Sequence, residues 1–96
     1  MFKIIFAQTF LITYKKLTRK NIKLQKKVKK TIKLLSQDPF YPSLRTHRVL
    51  TRKYGFQWSS FATGDIRIIW NFSSEKKLVI ELLDIGSHSG KKKIYR

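Results

Sequence analysis

The sequence predicts an α+β fold: an N-terminal strand, a helical hairpin, and an antiparallel sheet carrying the helices on one face, in the order β-α-α-β-β-β. Apolar residues recur at helical spacing in the first third of the chain and alternate with period two from residue 54. Short Gly-, Ser- and Asp-containing segments separate the alternating runs. Strands that are neighbours in sequence pair as hairpins, which leaves the helices to one side. With 96 residues, the chain fits one domain spanning 1–96. A chain of this size buries roughly two-thirds of the surface its unfolded form exposes, enough for one core.

The first strand is Phe2 to Phe6. A short helix fits Thr9 to Lys16, with Phe10, Leu11, Tyr14 and Leu17 as its buried side. Thr18 and Asn21 break the pattern, and Asn21 suits the N-cap of a second helix because its side-chain oxygen can accept an orphan backbone N–H. In that helix Leu24, Val28 and Leu35, with Ile32 beside them, form one apolar stripe, and Lys23, Lys26, Lys27, Lys30 and Lys33 take the remaining arc. Asp38-Pro39 ends it, since proline restricts its predecessor and lacks an N–H. The β-rich runs are Phe56 to Phe61, Ile66 to Phe72 and Leu78 to Ile85, joined by Thr63-Gly64-Asp65 and by Ser73 to Lys77. Trp58, Trp70 and Phe72 are expected in the core. Lys91 to Arg96 can add a last short strand through Ile94 and Tyr95.

Charge is the strongest compositional feature. Lys and Arg number 22 against 5 Asp and Glu, a net +17, and self-repulsion of that size implies a polyanionic partner. Hydrophobic residues at 42% supply a core that a disordered basic tail would lack. The run Lys15 to Lys33 holds ten basic residues in 19, and residues 1–37 contain no acid. The run is either a solvated helix face or an RNA-facing one. Without cysteine, disulfides and thiolate metal sites are excluded; two histidines and five scattered carboxylates make a metal site unexpected. The apolar stretch Ile4 to Tyr14 is too short for a membrane span, and nothing after it reads as a signal cleavage site, so a cytoplasmic location is expected.

Four segments can carry chemistry: Leu44 to Leu50 around His47, Trp58 to Arg67, Asp84 to Gly90 around His88, and Lys91 to Arg96. Histidine among arginines suits acid–base work on a phosphodiester. Imidazole is the side chain that ordinarily titrates near neutrality, and cations stabilise charge developing on phosphate. RNA needs no metal for such cleavage, because its 2′-OH is the nucleophile.

The ordered segments DPFYPSLRTHRVL, WSSFATGDIRIIW and IELLDIGSHSGKKKIY resemble the RelE/ParE superfamily of bacterial toxins, with nearer kin in its YafQ-like and RelE-like messenger RNA interferases. The resemblance spans the chain from its first strand to Tyr95. It implies a helical hairpin on a curved antiparallel sheet and a ribosome-dependent endoribonuclease without a cofactor. By that resemblance His88 is the general acid for the leaving 5′-oxygen, although acid and base roles can exchange. His47 is the base or a phosphate ligand, Arg67 a groove arginine facing the phosphorane-like charge, Tyr95 a residue that stacks on or polarises the substrate nucleotide, and Asp65 a further acid. Arg45, Arg48, Lys91, Lys92 and Lys93 are expected phosphate contacts. Two positions depart from the YafQ-like pattern: Phe61 where a further histidine is expected, and Asp84 where an arginine precedes Gly-x-His.

Each residue also has a plain reading. His47 and His88 can be ordinary loop histidines, Asp65 is the acid a hairpin turn favours, Arg67 can cover a half-solvated sheet face, and Tyr95 can close a sheet edge. Two other functions compete with the interferase: a gyrase-directed toxin of the ParE branch, and a non-catalytic basic RNA-binding module. The resemblance further implies an acidic cognate antitoxin, the ribosome and messenger RNA as partners, and a monomeric isolated toxin.

Overall fold

The computed structural model describes residues 1–87, so His88, Lys91, Lys92, Lys93, Tyr95 and the expected last strand lie outside the described residues. The order is β1 (Lys3–Phe6), α1 (Gln8–Thr18), α2 (Ile22–Gln37), a 3₁₀ turn at Pro42–Leu44, β2 (His47–Thr51), β3 (Gly55–Phe61), β4 (Ile66–Phe72) and β5 (Val79–Ser87). The strands form one sheet in the order β1-β5-β4-β3-β2.

The helical hairpin follows the sequence logic closely. Asn21 caps α2 by accepting the Leu24 N–H at 3.0 Å, and Val28 and Leu35 are fully buried, with Leu24 and Ile32 packed beside them. Thr18 and Thr31 are also buried, and each hydroxyl donates to the carbonyl four residues back, which removes the cost of burying it. In α1 the expected buried side is only partly correct. Phe10 is buried, but Leu11 is exposed, because the helix rests on β5 through Phe10 while Leu11 rotates outward beside Ile12.

Both helices pack on one sheet face. Phe10, Val28 and Leu35 share a core with Ile66, Ile68 and Trp70 of β4 and Ile80, Leu82 and Ile85 of β5. A bulge lies between the registers Ile69↔Asp84 and Trp70↔Leu82, leaving Leu83 as the extra residue. Its carbonyl accepts the Thr9 hydroxyl at 2.6 Å, which fixes the start of α1 to β5, the strand next to the β1 edge.

Two features correct the expected antiparallel β-α-α-β-β-β sheet. First, β1 pairs with β5 in parallel, so the sheet is mixed. The helical hairpin intervenes between β1 and the rest of the sheet, and period-two alternation says nothing about strand direction. Second, His47–Thr51 forms an additional strand, antiparallel to β3 at the sheet edge. Its edge position leaves His47, Arg48 and Leu50 exposed, so no hydrophobic alternation marks it.

The aromatic residues behave unequally. Trp70 is fully buried, Trp58 is partly buried, and Phe72 is 36% exposed, which corrects its expected core position. Phe40 closes the cluster, with its ring 5.1 Å from Trp58 and 6.4 Å from Phe72.

Candidate functional site

The site begins with how the chain between α2 and β2 is held. The Trp70 indole N–H donates to the Ser60 hydroxyl at 2.8 Å. The Thr46 hydroxyl donates to the Pro39 carbonyl at 2.6 Å. Since a carbonyl only accepts, the Thr46 proton is committed there, and Ser60 must donate to Thr46 across their 2.6 Å contact. This relay, buried at its Trp70–Ser60 end, ties residues 39–46 to the sheet. Arg45, in the left-handed region at φ 46°, closes the 3₁₀ turn with its N–H on the Pro42 carbonyl at 3.1 Å. Ser60→Ala is expected to destabilise the protein by about 1–3 kcal/mol, because it leaves the buried indole N–H unsatisfied; chemical denaturation measures this, and an unchanged unfolding midpoint would remove the relay from the account.

Strand alternation then sets two rows across the sheet face opposite the helices. His47, Ser59, Ile69 and Asp84 form one row, and Phe61, Arg67 and Gly86 form the next. Gly86 presents no side chain opposite Arg67. The Arg67 guanidinium carbon lies 3.4 Å from the centre of the Phe61 ring and that of Arg45 lies 5.6 Å from it, while His47 meets the same ring edge-on at 6.3 Å. Three of the residues picked from sequence thus gather around Phe61. From sequence, Phe61 is the end of a strand and a departure from the YafQ-like pattern, with no site role. Its register partner Arg67, across the Thr63-Gly64-Asp65 connection, was the signal that could have placed it.

Arg67 is buried, which alternation alone does not predict. Its Nη1 donates to the Thr63 carbonyl at 2.9 Å and, more weakly, to the Ile66 carbonyl at 3.4 Å, while its buried Nε has no partner among the described residues. The cation is therefore held by main-chain carbonyls and a ring face, a costly arrangement unless it serves a charge brought from outside.

His47 is exposed, and its Nδ1 lies 2.8 Å from the Arg45 carbonyl. That oxygen requires a proton on Nδ1, so in the neutral ring the lone pair is on Nε2. Asp65 accepts the Ser87 hydroxyl on both carboxylate oxygens, at 2.8 and 2.7 Å, and its own N–H donates to the Thr63 hydroxyl at 3.2 Å. It shapes the turn and also ties it to the end of β5. His88 is the next residue after Ser87. Asp84, which replaces the arginine of the YafQ-like pattern, accepts the Tyr54 hydroxyl at 3.1 Å and the Ile85 N–H at 2.9 Å. Arg48 is not brought to this face: it alternates to the helix side, with its guanidinium 5.0 Å from the Trp58 ring.

No family model and no curated protein matches the chain. Solved structures do. A YoeB/ParE toxin from Agrobacterium tumefaciens superposes with a TM-score of 0.69 at 17% identity, covering 91% of this chain and 99% of that one. The fold is that of the RelE/ParE toxins. YafQ in the E. coli DinJ–YafQ toxin–antitoxin complex matches at 0.67 and 18% identity, over 91% and 92% of the two chains. A copper-bound mutant toxin from Helicobacter pylori matches at 0.69 and 21% identity, over 92% and 96%. Among the described residues of this RelE/ParE-type fold, no helix is long and apolar enough to cross a membrane. Nor does any group of three His, Asp or Glu side chains among them suit a metal ion.

Proposed function

We propose that this chain is the toxin of a type II toxin–antitoxin pair and cuts messenger RNA on the ribosome. The observation that carries the reading is the buried, carbonyl-held Arg67 cation, grouped with Arg45 and His47 around Phe61 beside the end of β5. In this reading the RNA 2′-oxygen attacks the adjacent phosphorus, the P–O5′ bond breaks, and the products end in a 2′,3′-cyclic phosphate and a 5′-OH. One histidine takes the 2′-OH proton and the other protonates O5′. Nε2 of His47 suits the base, with His88 as the acid. Arg67 and Arg45 offset the negative charge that grows on the phosphate oxygens. Asp65 fixes the end of β5 that precedes His88, Lys91 to Lys93 add phosphate contacts, and Tyr95 stacks on the substrate base.

The same fold includes ParE-type proteins, so fold alone does not separate RNA cutting from gyrase inhibition; the histidine and arginine set favours RNA. An acidic antitoxin fits the net charge of +17 and the exposed apolar residues Phe6, Leu11 and Ile12 beside the basic helices. Induced expression followed by mapping of messenger RNA 5′ ends tests the proposal. New ends inside translated regions are expected within minutes. An unchanged end profile together with DNA damage would instead select the gyrase reading.

A further inference from the structure

Beside this site, on the other side of the β3–β4 turn, α2 and that turn enclose a groove. One part, a cavity of about 320 Å³, is lined by Lys27, Lys30, Ser43, Phe61, Thr63 and Gly64, among others. A second hollow of about 350 Å³ adjoins it through Lys27 and Thr63 and adds Asn21 and Lys23. Lys23, Lys27 and Lys30 are all exposed and lie at i, i+4 and i+7, so they follow one another along a single helix face at steps of about 6 and 4.5 Å. Residues 1–37 contain no acid to neutralise them.

We infer that this groove is a second RNA track, which takes the ribose–phosphate backbone of the strand flanking the nucleotide held at Phe61. Charge complementarity is the first argument: the rim is lysine, and Ser43 and Thr63 offer hydroxyls between the apolar side chains of Leu34, Leu44, Phe61 and Ala62. Lysines on flexible stems suit a repeating anionic backbone, and the apolar side chains between them suit ribose and base faces. Continuity is the second. Phe61 lines the groove and also carries Arg67, and the Thr63 carbonyl that holds Arg67 belongs to a residue lining the groove. A strand passing from Phe61 over the β3–β4 turn therefore meets the lysine rim, and no residue lining the groove is acidic.

The inference rests on reading the chain as RNA-directed, but it is tested by binding, whereas that reading is tested by cutting. The probe is a fluorescein-labelled 12-nucleotide oligouridylate, followed by anisotropy with the full chain between about 50 and 200 mM KCl. For Lys27→Gln/Lys30→Gln the slope of log affinity against log salt is expected to fall by about 1.4, near 0.7 for each lost phosphate contact, with affinity down about ten-fold at 100 mM. Lys15→Gln/Lys16→Gln, which removes equal charge from α1, is expected to change the slope by less than half as much. Gly64→Glu supplies a second route: a Cβ at Gly64 meets nothing within 4 Å, so the side chain adds repulsion without a clash, and a loss of about five-fold or more is expected. The inference is overturned if both groove variants bind like the unaltered chain. It is equally overturned if they keep RNA affinity and lose affinity for a polyglutamate peptide, since the groove would then serve a protein.

Discussion

Replacing His88 by alanine is expected to slow cutting of translated messenger RNA about 100- to 10,000-fold, or about 2.7–5.5 kcal/mol of barrier, while ribosome binding is retained. The reasoning starts at the strand that precedes it. β5 ends at Ser87, whose hydroxyl is held by Asp65, and Gly86 faces Arg67 without a side chain between them. A general acid following Ser87 in the chain follows directly on the strand that borders the buried cation. The departing 5′-oxygen is a poor leaving group unless protonated, so its acid carries much of the rate. His47→Ala tests the partner role. If Nε2 of His47 takes the 2′-OH proton, that variant falls in the same range, and the double variant falls little further, because the two groups act on one step. Single-turnover cutting on programmed ribosomes measures both. A His88→Ala protein that cuts at the unaltered rate would remove His88 from the chemistry.

Arg67→Gln is expected to lower the cutting rate about 100- to 1,000-fold without loss of stability. The two halves of this expectation come from the same geometry. Glutamine keeps an N–H donor that can reach the Thr63 carbonyl, but it removes a buried cation whose Nε is unsatisfied and whose polar partners, among the described residues, are main-chain carbonyls. Exchanging such a charge for a neutral group is often neutral or stabilising. The same exchange deletes the positive charge nearest the ring that gathers Arg45 and His47. A thermal midpoint that holds or rises while the rate falls is the expected signature. A midpoint that drops sharply together with the rate would make Arg67 a structural residue.

The helical hairpin was legible because its signals are local: Asn21 supplies the cap, and the stripe Leu24, Val28, Ile32 and Leu35 has one period. β4 was legible for the same reason, with Ile66, Ile68 and Trp70 alternating toward the helices. The parallel pairing of β1 with β5 was not, because it joins the two ends of the described chain, and no local pattern encodes strand direction. β2 escaped because an edge strand with His47, Arg48 and Leu50 exposed carries no apolar period. At the site, strand alternation puts Arg67 on the face opposite Ile66 and Ile68 but does not give its depth, which depends on Phe61 folding over it from the next strand. Arg48, read from sequence beside Arg45, alternates away from the site, since adjacent residues of a strand point to opposite faces. Phe61 gained its role only once the strand register was known.

The central claim is that this fold carries ribosome-dependent RNA cleavage by the 2′-OH. A reconstituted translation reaction with one defined message, the purified chain and kinase labelling of the fragments tests it most directly. The account predicts fragments that accept label at a free 5′-OH without prior phosphatase treatment, appearing with ribosomes present and not with naked message. Fragments bearing 5′-phosphates, equal cutting of naked RNA, or an intact message on ribosomes that have bound the protein would contradict it.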